Sequence, residues 1–540
     1  MQQNKTKEQS KGQKGMSRHL LESAFLMGGL TMVSRVLGMV RDIVCARSYG
    51  TSWQWDGFIY AFMIPNFFRR LVAEGAVSSA FIPVYSQVLT QKGKDNAMAF
   101  ANTALTLCGA GFIFVLLVLE IGLSYLMNVG ALSETLKLTV DLLRFFFPYL
   151  CLMSVIAIGM GILNSHNHFL TPSLGPIFLN VFWIVGVLWV APRLSKGETI
   201  VELRWVAGAI LLSAFAQLFI QLPPLYRAGF RIRLVWDFFS DEIKTSFKLF
   251  LPAIVGFAIV PLNVLVDMTL GLLIGEGANS SLWYGNRLMQ LPLGVFAISM
   301  GTALLPNLSG QFAGGKIKEA ERAFRFALKS VLFIIVPCTV GLIVLRTPII
   351  ELLFQRGEFD ATSTQRTANV LFCYSIGLFA YSGQKILTSG FYAVQNTRIP
   401  VRIAAFSFLL NIVMNLILMG PLKEAGLALA TSLSAIVQFF LLFYFCQKKV
   451  VALDMNDILP VTSKMIFSSL LMGILCFVAF RMIPSVFPES ATLSLAAKVF
   501  GAIVCSMASY PLLCALFGIR EASSAVKWLF RKKPILEQDS

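Results

Sequence analysis

The chain has 540 residues, of which 56% are hydrophobic and only 14% charged, with a formal net charge of +17 at pH 7 and a mean hydropathy of +0.73. A soluble domain carries roughly 25% charged residues, and a soluble chain of this length splits into units with polar surfaces; the composition excludes that class. The positive charge sits in short loops between apolar runs, which is a pattern of membrane topology and not of a nucleic-acid footprint, so no nucleic-acid partner is expected.

In chain order, residues 1–18 form a polar tail with Lys5, Lys7, Lys11, Lys14 and Arg18. The apolar stretch behind it is too long for a secretory signal and contains arginines, so the tail is expected to be retained in the cytoplasm. Fourteen apolar segments follow, each able to supply the ~20 residues of a spanning helix. They are 21–47, 56–88, 97–128, 134–163, 173–191, 204–226, 246–275, 279–312, 320–346, 364–394, 400–420, 424–446, 460–483 and 492–518. The predicted fold is an all-α polytopic membrane protein with 14 transmembrane helices. With the first tail inside, the inner loops and tails take Lys92, Lys94, Arg231, Arg233, Lys316, Lys318, Lys448 and Lys449. The outer loops hold fewer cations, among them Arg193, Lys196 and Lys423. This asymmetry places both termini in the cytoplasm.

A repeat runs through the first twelve spans. Phe81-Ile82-Pro83 closes the second span ahead of Lys92-Gly93-Lys94, and Leu304-Leu305-Pro306 closes the eighth ahead of Gly315-Lys316. Asn167 precedes Pro172 after the fourth span, and Asn396 precedes Pro400 after the tenth. The two pairs of prolines are offset by 223 and 228 residues. Two parallel six-helix repeats follow, with the site expected between the halves, plus a C-terminal helix pair. The domains are therefore a basic tail (1–18), a first lobe (19–230), a second lobe (231–450), the terminal pair (451–519) and a cytoplasmic C-tail (520–540).

The first two spans carry buried charge. At about 100° per residue, Arg35, Gly38, Arg41 and Asp42 fall within one sector of about 120°. In the second span Asn66, Arg69 and Arg70 cluster, Arg70 and Glu74 form an i, i+4 pair, and Pro65 permits a kink. Arg69 lies 13 residues beyond Asp56, roughly 20 Å along a helix and near mid-bilayer. A central arginine costs roughly 2.5–3.5 kcal/mol on insertion scales, so these groups face a bundle interior or a water-filled cavity and not lipid. Two readings stand: Arg41–Asp42 and Arg70–Glu74 pairs that tie helices together, or a cationic cavity for an anionic substrate. Arg35, Arg41, Arg69, Arg70 and Arg287 outnumber Asp42, Asp56 and Glu74, which favours the cavity. Guanidinium forks suit phosphate through paired charge-assisted hydrogen bonds. Arg287 lies in the eighth span, where Pro292, Gly294 and Gly301 mark a place to bend.

A second constellation is oxygen-rich. Asp267 stands alone in the seventh span, Asn411 and Asn415 are four residues apart in the eleventh, and Thr431 lies in the twelfth. Such a set suits a hard cation such as Na⁺, or simply interhelical hydrogen bonding. The nine cysteines all lie in apolar runs without a CxxC pair and read as buried hydrophobes. The three histidines have no ligand spacing, and no hydrolase, P-loop or dinucleotide motif occurs, so no enzyme activity and no resident cofactor is expected.

The residues Ser34-Arg35-Val36-Leu37-Gly38, Arg41-Asp42, Asp56, Ile64-Pro65-Asn66-Phe67-Phe68-Arg69-Arg70 and Ala73-Glu74-Gly75-Ala76 resemble the signature of the MurJ (MviN) family. Arg287-Leu288-Met289 with Leu291-Pro292, and Gly420-Pro421-Leu422-Lys423, are similar to that family's later motifs. The resemblance spans at least residues 20–450 and implies the multidrug/oligosaccharidyl-lipid/polysaccharide exporter fold. It implies a flippase that moves lipid II from the cytoplasmic to the periplasmic leaflet of the bacterial inner membrane. On that resemblance Arg35, Arg41, Asp42, Asp56, Arg69, Arg70 and Arg287 are substrate-binding, with Asn66 and Glu74 pairing residues. Asp267, Asn411, Asn415 and Thr431 match positions of a Na⁺ site, and the terminal pair forms a groove for the polyprenyl tail. Membrane lipids and the cell-wall synthesis machinery are the further partners. Met63 departs from the pattern, since members often carry a basic residue there. The alternatives are an exporter of another polyprenyl-linked glycan, a drug/cation antiporter of the same fold, or a non-transporting cell-wall scaffold.

Overall fold

The computed structural model describes residues 27–71, 77–128, 132–453, 455–484 and 491–519. The basic N-terminal tail, Glu74 and the C-terminal tail 520–540 lie outside the described residues. Among those described, helices dominate and no β-strand occurs. The chain divides into two compact units, Met1–Leu265 and Val266–Ser540.

The first unit holds α1 (27–49), α2 (Trp53–Arg69), α3 (Val77–Gln91), α4 (Lys94–Asn128), α5 (Glu134–Ser165), α6 (Leu170–Val185), α7 (Ala191–Leu194) and α8 (Thr199–Arg227). Helix α5 is its spine, packed by α2, α3, α4 and α8. Close approach depends on glycine: a Cβ on Gly57 of α2 would stand 3.1 Å from the Thr135 carbonyl oxygen on α5. The Thr139 hydroxyl uses that space to donate to the Gly57 carbonyl at 3.2 Å. An aromatic cluster of Phe58, Phe62, Phe146 and Trp183 fills the α2–α5–α6 seam. Helix α9 (Asp241–Ile274) begins in this unit, where Ser246 donates to the Ala80 carbonyl and Glu242 pairs with Lys92. The division at Leu265 therefore falls inside α9.

The second unit continues with α10 (Ala278–Pro292), α11 (Ile298–Ala313), α12 (Ile317–Val344), α13 (Arg346–Phe354), α14 (Ala361–Ile376), α15 (Leu378–Ala393), α16 (Arg398–Lys449), α17 (Met455–Met482) and α18 (Ala491–Leu516). Helix α16 packs on α14 and α15, α12 packs on α15 and α17, and α17 packs on α18. A π-helical stretch, Leu293–Ala297, follows Pro292 in the eighth predicted span; a proline that cannot donate to the helix ladder is accommodated there by a wider turn.

Ten described helices are long and apolar enough to cross a bilayer, or eleven with the pair α14–α15 taken as one span bent by 41°. Helix α16 contains the eleventh and twelfth predicted spans, joined across a kink at Lys423 (φ 52°, ψ −134°). The first and second predicted spans are the ones missing from that set. The first, α1, carries Arg35, Arg41 and Asp42, whereas the second is described only as α2 and α3, of 17 and 15 residues, with residues 72–76 between them outside the described residues.

The internal repeat recurs in the backbone. Left-handed residues close corresponding turns in the two units: Gly50 and Gly277, Gly93 and Gly315, Asn167 and Gln395, Lys196 and Lys423. Their offsets are 227, 222, 228 and 227 residues. Helix α5 is capped by Ser133 and α14 by Asp360, 227 residues later, each accepting from a backbone N–H of the first turn.

Candidate functional site

Helix α1 brings its charges to α6. Arg41 is 6% exposed and Asp42 1%. The Arg41 Nη2 and Nε both donate to Asp42 Oδ1, at 2.7 and 3.0 Å, and Nη1 donates to Asn180 Oδ1 at 3.2 Å. Asn180 Nδ2 donates back to the Ser34 carbonyl at 3.1 Å. The guanidinium carbon stands 4.4 Å from the centre of the Trp183 ring, which adds a cation–π contact. A buried cation is tolerated here because a carboxylate, an amide and a ring face surround it.

Sequence reasoning found Arg41 and Asp42 and missed Asn180. Its signal was present: Asn180 is an isolated amide in the apolar run Leu170–Val185. Arg35 is half-buried on the same helix. On α2, Asp56 and Asn66 are buried. Arg69 Nε and Nη2 both donate to Asn66 Oδ1, at 3.2 and 3.0 Å, one helical turn back. Arg70 is exposed just beyond the helix. Met63 is buried and packed into this unit.

In the second unit Arg287 is half-buried on α10, one turn from the buried Tyr284. Tyr284 packs with Phe354 and Phe359, which fixes that part of α10 against α13 and the turn behind it.

The four residues of the oxygen-rich constellation come together. Asp267 on α9, Asn411 and Asn415 on the first half of α16 and Thr431 on the second half form one network. Asn415 Nδ2 donates to Asp267 Oδ1 at 2.7 Å and to Asn411 Oδ1 at 2.9 Å. Thr431 Oγ1 donates to Asp267 Oδ2 at 3.0 Å and accepts from Asn411 Nδ2 at 3.2 Å. Asp267, Asn411 and Asn415 are almost wholly buried. Asn415 Oδ1 is buried with no hydrogen-bond partner among the described residues. As arranged, both amides turn an N–H into the network; with the amides turned over, the four side chains would offer oxygen alone, which is the chemistry of a hard cation.

The lipid II flippase MurJ family model matches residues 45–496. A probable lipid II flippase MurJ of Vibrio cholerae is 32% identical over 441 residues, covering 79% of this chain and 83% of its own. The lipid II flippase MurJ of Burkholderia cenocepacia is 29% identical, covering 80% and 84%. A solved structure of lipid II flippase MurJ in an inward closed conformation superposes with a TM-score of 0.76 at 26% identity, over 94% of this chain and all of that one. An inward-facing multidrug resistance MATE family transporter of the MOP superfamily shares the fold, with a TM-score of 0.65 at 15% identity, over 79% of this chain and 98% of its own.

Proposed function

The chain belongs to the lipid II flippase MurJ family, and we propose how its buried charges carry out that activity. It is a multi-pass membrane transporter and not an enzyme: it translocates lipid II by alternating access. It resides in the bacterial inner membrane with both termini in the cytoplasm, and it moves the lipid from the cytoplasmic to the periplasmic leaflet.

The observation that carries the reading of the site is the set of guanidinium groups set inside apolar helices, with Arg41 buried among polar partners and Arg35 half-buried on the same helix. Arg35, Arg41, Arg69, Arg70 and Arg287 supply the cations for the pyrophosphate and the anionic peptide of lipid II. A guanidinium donates paired, charge-assisted hydrogen bonds to phosphate oxygens and needs no bound metal to do so. Asp42 keeps Arg41 aligned through its Oδ1 until phosphate oxygens compete for the same N–H groups. Asp56 offsets part of the positive charge, so the head group is held loosely enough to leave. The polyprenyl tail stays in lipid along α17 and α18. A membrane potential positive outside favours outward movement of the anionic head group by roughly 2.3 kcal/mol per charge per 100 mV.

Asp267, Asn411, Asn415 and Thr431 would hold a Na⁺ ion, and its electrochemical gradient would supply the free energy that returns the protein to its starting state. The Asn415 amide faces Asp267 with its N–H, and turned over it presents Oδ1 to a cation instead.

The test is to deplete the native protein in its bacterium and assay which leaflet holds lipid II, supplying back wild-type or Arg69→Ala/Arg70→Ala protein. Inner-leaflet accumulation that only the wild type relieves, at equal protein abundance, is the expected outcome. An unchanged leaflet distribution on depletion, with no second exporter present, would overturn the assignment.

A further inference from the structure

The segment between α8 and α9 has no regular secondary structure, yet its backbone is fixed. Asn102 on α4 donates Nδ2 to the Arg231 carbonyl at 3.0 Å and accepts from the Arg233 N–H at 2.9 Å. One turn further along α4, Thr106 Oγ1 accepts from the Val235 N–H at 3.2 Å and donates to the Asn102 carbonyl at 2.8 Å. The spacing matches: four helical residues rise about 6 Å, and two extended residues advance about 6.6 Å. Asn102 and Thr106, both buried, thus do for residues 231–235 what a neighbouring strand would do. Phe230 is buried and anchors the start of this strap in the apolar cluster with Tyr85, Phe100 and Ile162.

An extended segment shows alternate side chains on opposite faces. Ile232, Leu234 and Trp236 make one row and Arg231 and Arg233 the other, all exposed, with Leu234 at 77% and Trp236 at 64%. Phe239 and Phe247 extend the exposed apolar surface, and Lys244 and Lys248 extend the exposed positive charge into α9. The acidic neighbours are Asp237, Asp241 and Glu242; Asp241 lies 3.7 Å from Lys244, and Glu242 is taken by Lys92 at 2.5 Å. Bulk water is a poor medium for a row of Leu and Trp. The hydrocarbon core is equally poor, because the backbone groups of Ile232 and Leu234 turn away from α4 and need water. The boundary between the two satisfies both rows.

We propose that the strap 230–239 lies in the head-group layer of the cytoplasmic leaflet and binds the phosphates of anionic glycerophospholipids through Arg231, Arg233, Lys244 and Lys248. Its side of the membrane follows from the proposed cytoplasmic placement of Lys92 and Lys94, and its binding chemistry does not depend on which lipid is transported.

The purified full-length protein is titrated with phosphatidylglycerol or phosphatidylcholine, read by thermal midpoint and by lipid retention in native mass spectrometry. Wild-type protein should respond to phosphatidylglycerol and hardly to phosphatidylcholine. Arg231→Ala/Arg233→Ala should raise the half-saturating phosphatidylglycerol concentration by roughly fivefold for each arginine lost. Arg231→Gln/Arg233→Gln removes the same charge at similar length and should agree if the alanine variant purifies poorly. Equal response of the wild type to both lipids, or wild-type half-saturation in the charge-removed variants, would overturn the proposal. Phosphatidylglycerol binding that depends on these arginines, in a protein whose depletion leaves the leaflet distribution of lipid II unchanged, would count against the flippase reading and leave the strap standing.

Discussion

At the scale of single residues, the polar groups of this protein are stations in an apolar medium. Asp267 is the clearest: a carboxylate isolated in the apolar part of α9 that receives two donors, Asn415 and Thr431, from the two halves of α16. If it is also a cation ligand, the ion stabilises the folded protein by mass action. Replacing choline by Na⁺ should then raise the thermal midpoint of wild type and leave Asp267→Asn flat; a shift of equal size in both would remove the ion from the cycle. This site was legible in the sequence because Asp267, Asn411, Asn415 and Thr431 each interrupt a run of hydrophobic residues. The pairing of Arg41 with Asp42 was legible for a simpler reason, adjacency. Asn180 gave the same kind of signal and still went unread, because its partner lies 139 residues away and only the packing of α6 on α1 brings them together.

At the scale of elements, helix contacts are set by small residues and by how helices end. Gly377 sits at the bend between α14 and α15, where an added Cβ would lie 2.8 Å from the Ser432 Cα on α16. Ser432 donates to the Cys373 carbonyl at 2.7 Å across that gap. Gly377→Ala should therefore cost about 1–3 kcal/mol through overpacking, read as a lower thermal midpoint. Gly208→Ala on α8, with open space around the position, should cost nothing. The end of α5 supplies a pH response. His166 caps it, lies 3.1 Å from the Tyr85 hydroxyl, and has its pKa held below the usual 6.5, first by burial and then by Lys94. The unfolded chain then binds a proton at a pH where the folded protein does not. Stability should fall as pH drops through about 6.5 and level off below the depressed pKa. His166→Gln should flatten that part of the midpoint–pH curve, and an unchanged curve would place the response elsewhere. Short helix α13 was not read from the sequence, since nine residues between two spans give no period long enough to separate them from a loop. The kink at Lys423 was read as a turn, and the structure shows why two readings compete there: the chain stays helical on both sides of one left-handed residue.

At the scale of the whole molecule, two proline motifs in the sequence point to the repeat, and the backbone adds correspondences those motifs do not contain: Gly50 with Gly277, Lys196 with Lys423, and the caps Ser133 and Asp360. The side of the membrane on which each turn lies is open to direct measurement. In a background with all cysteines replaced, Lys196→Cys should react with an impermeant maleimide in intact cells whose outer membrane has been opened. Lys92→Cys should react only after the inner membrane is breached; the reverse pattern would invert the topology. The correspondences also bear on how the protein is made. Four left-handed positions of the first unit, Gly50, Gly93, Asn167 and Lys196, find counterparts 222–228 residues later, while Gly197 and Gly229 do not, so the first unit has its shared corners before the second leaves the ribosome. Domains fold as units, the N-terminal one first during synthesis. Assembly of this 540-residue chain thus becomes one problem of half the length solved twice, and a mistake made late in translation leaves the earlier half intact.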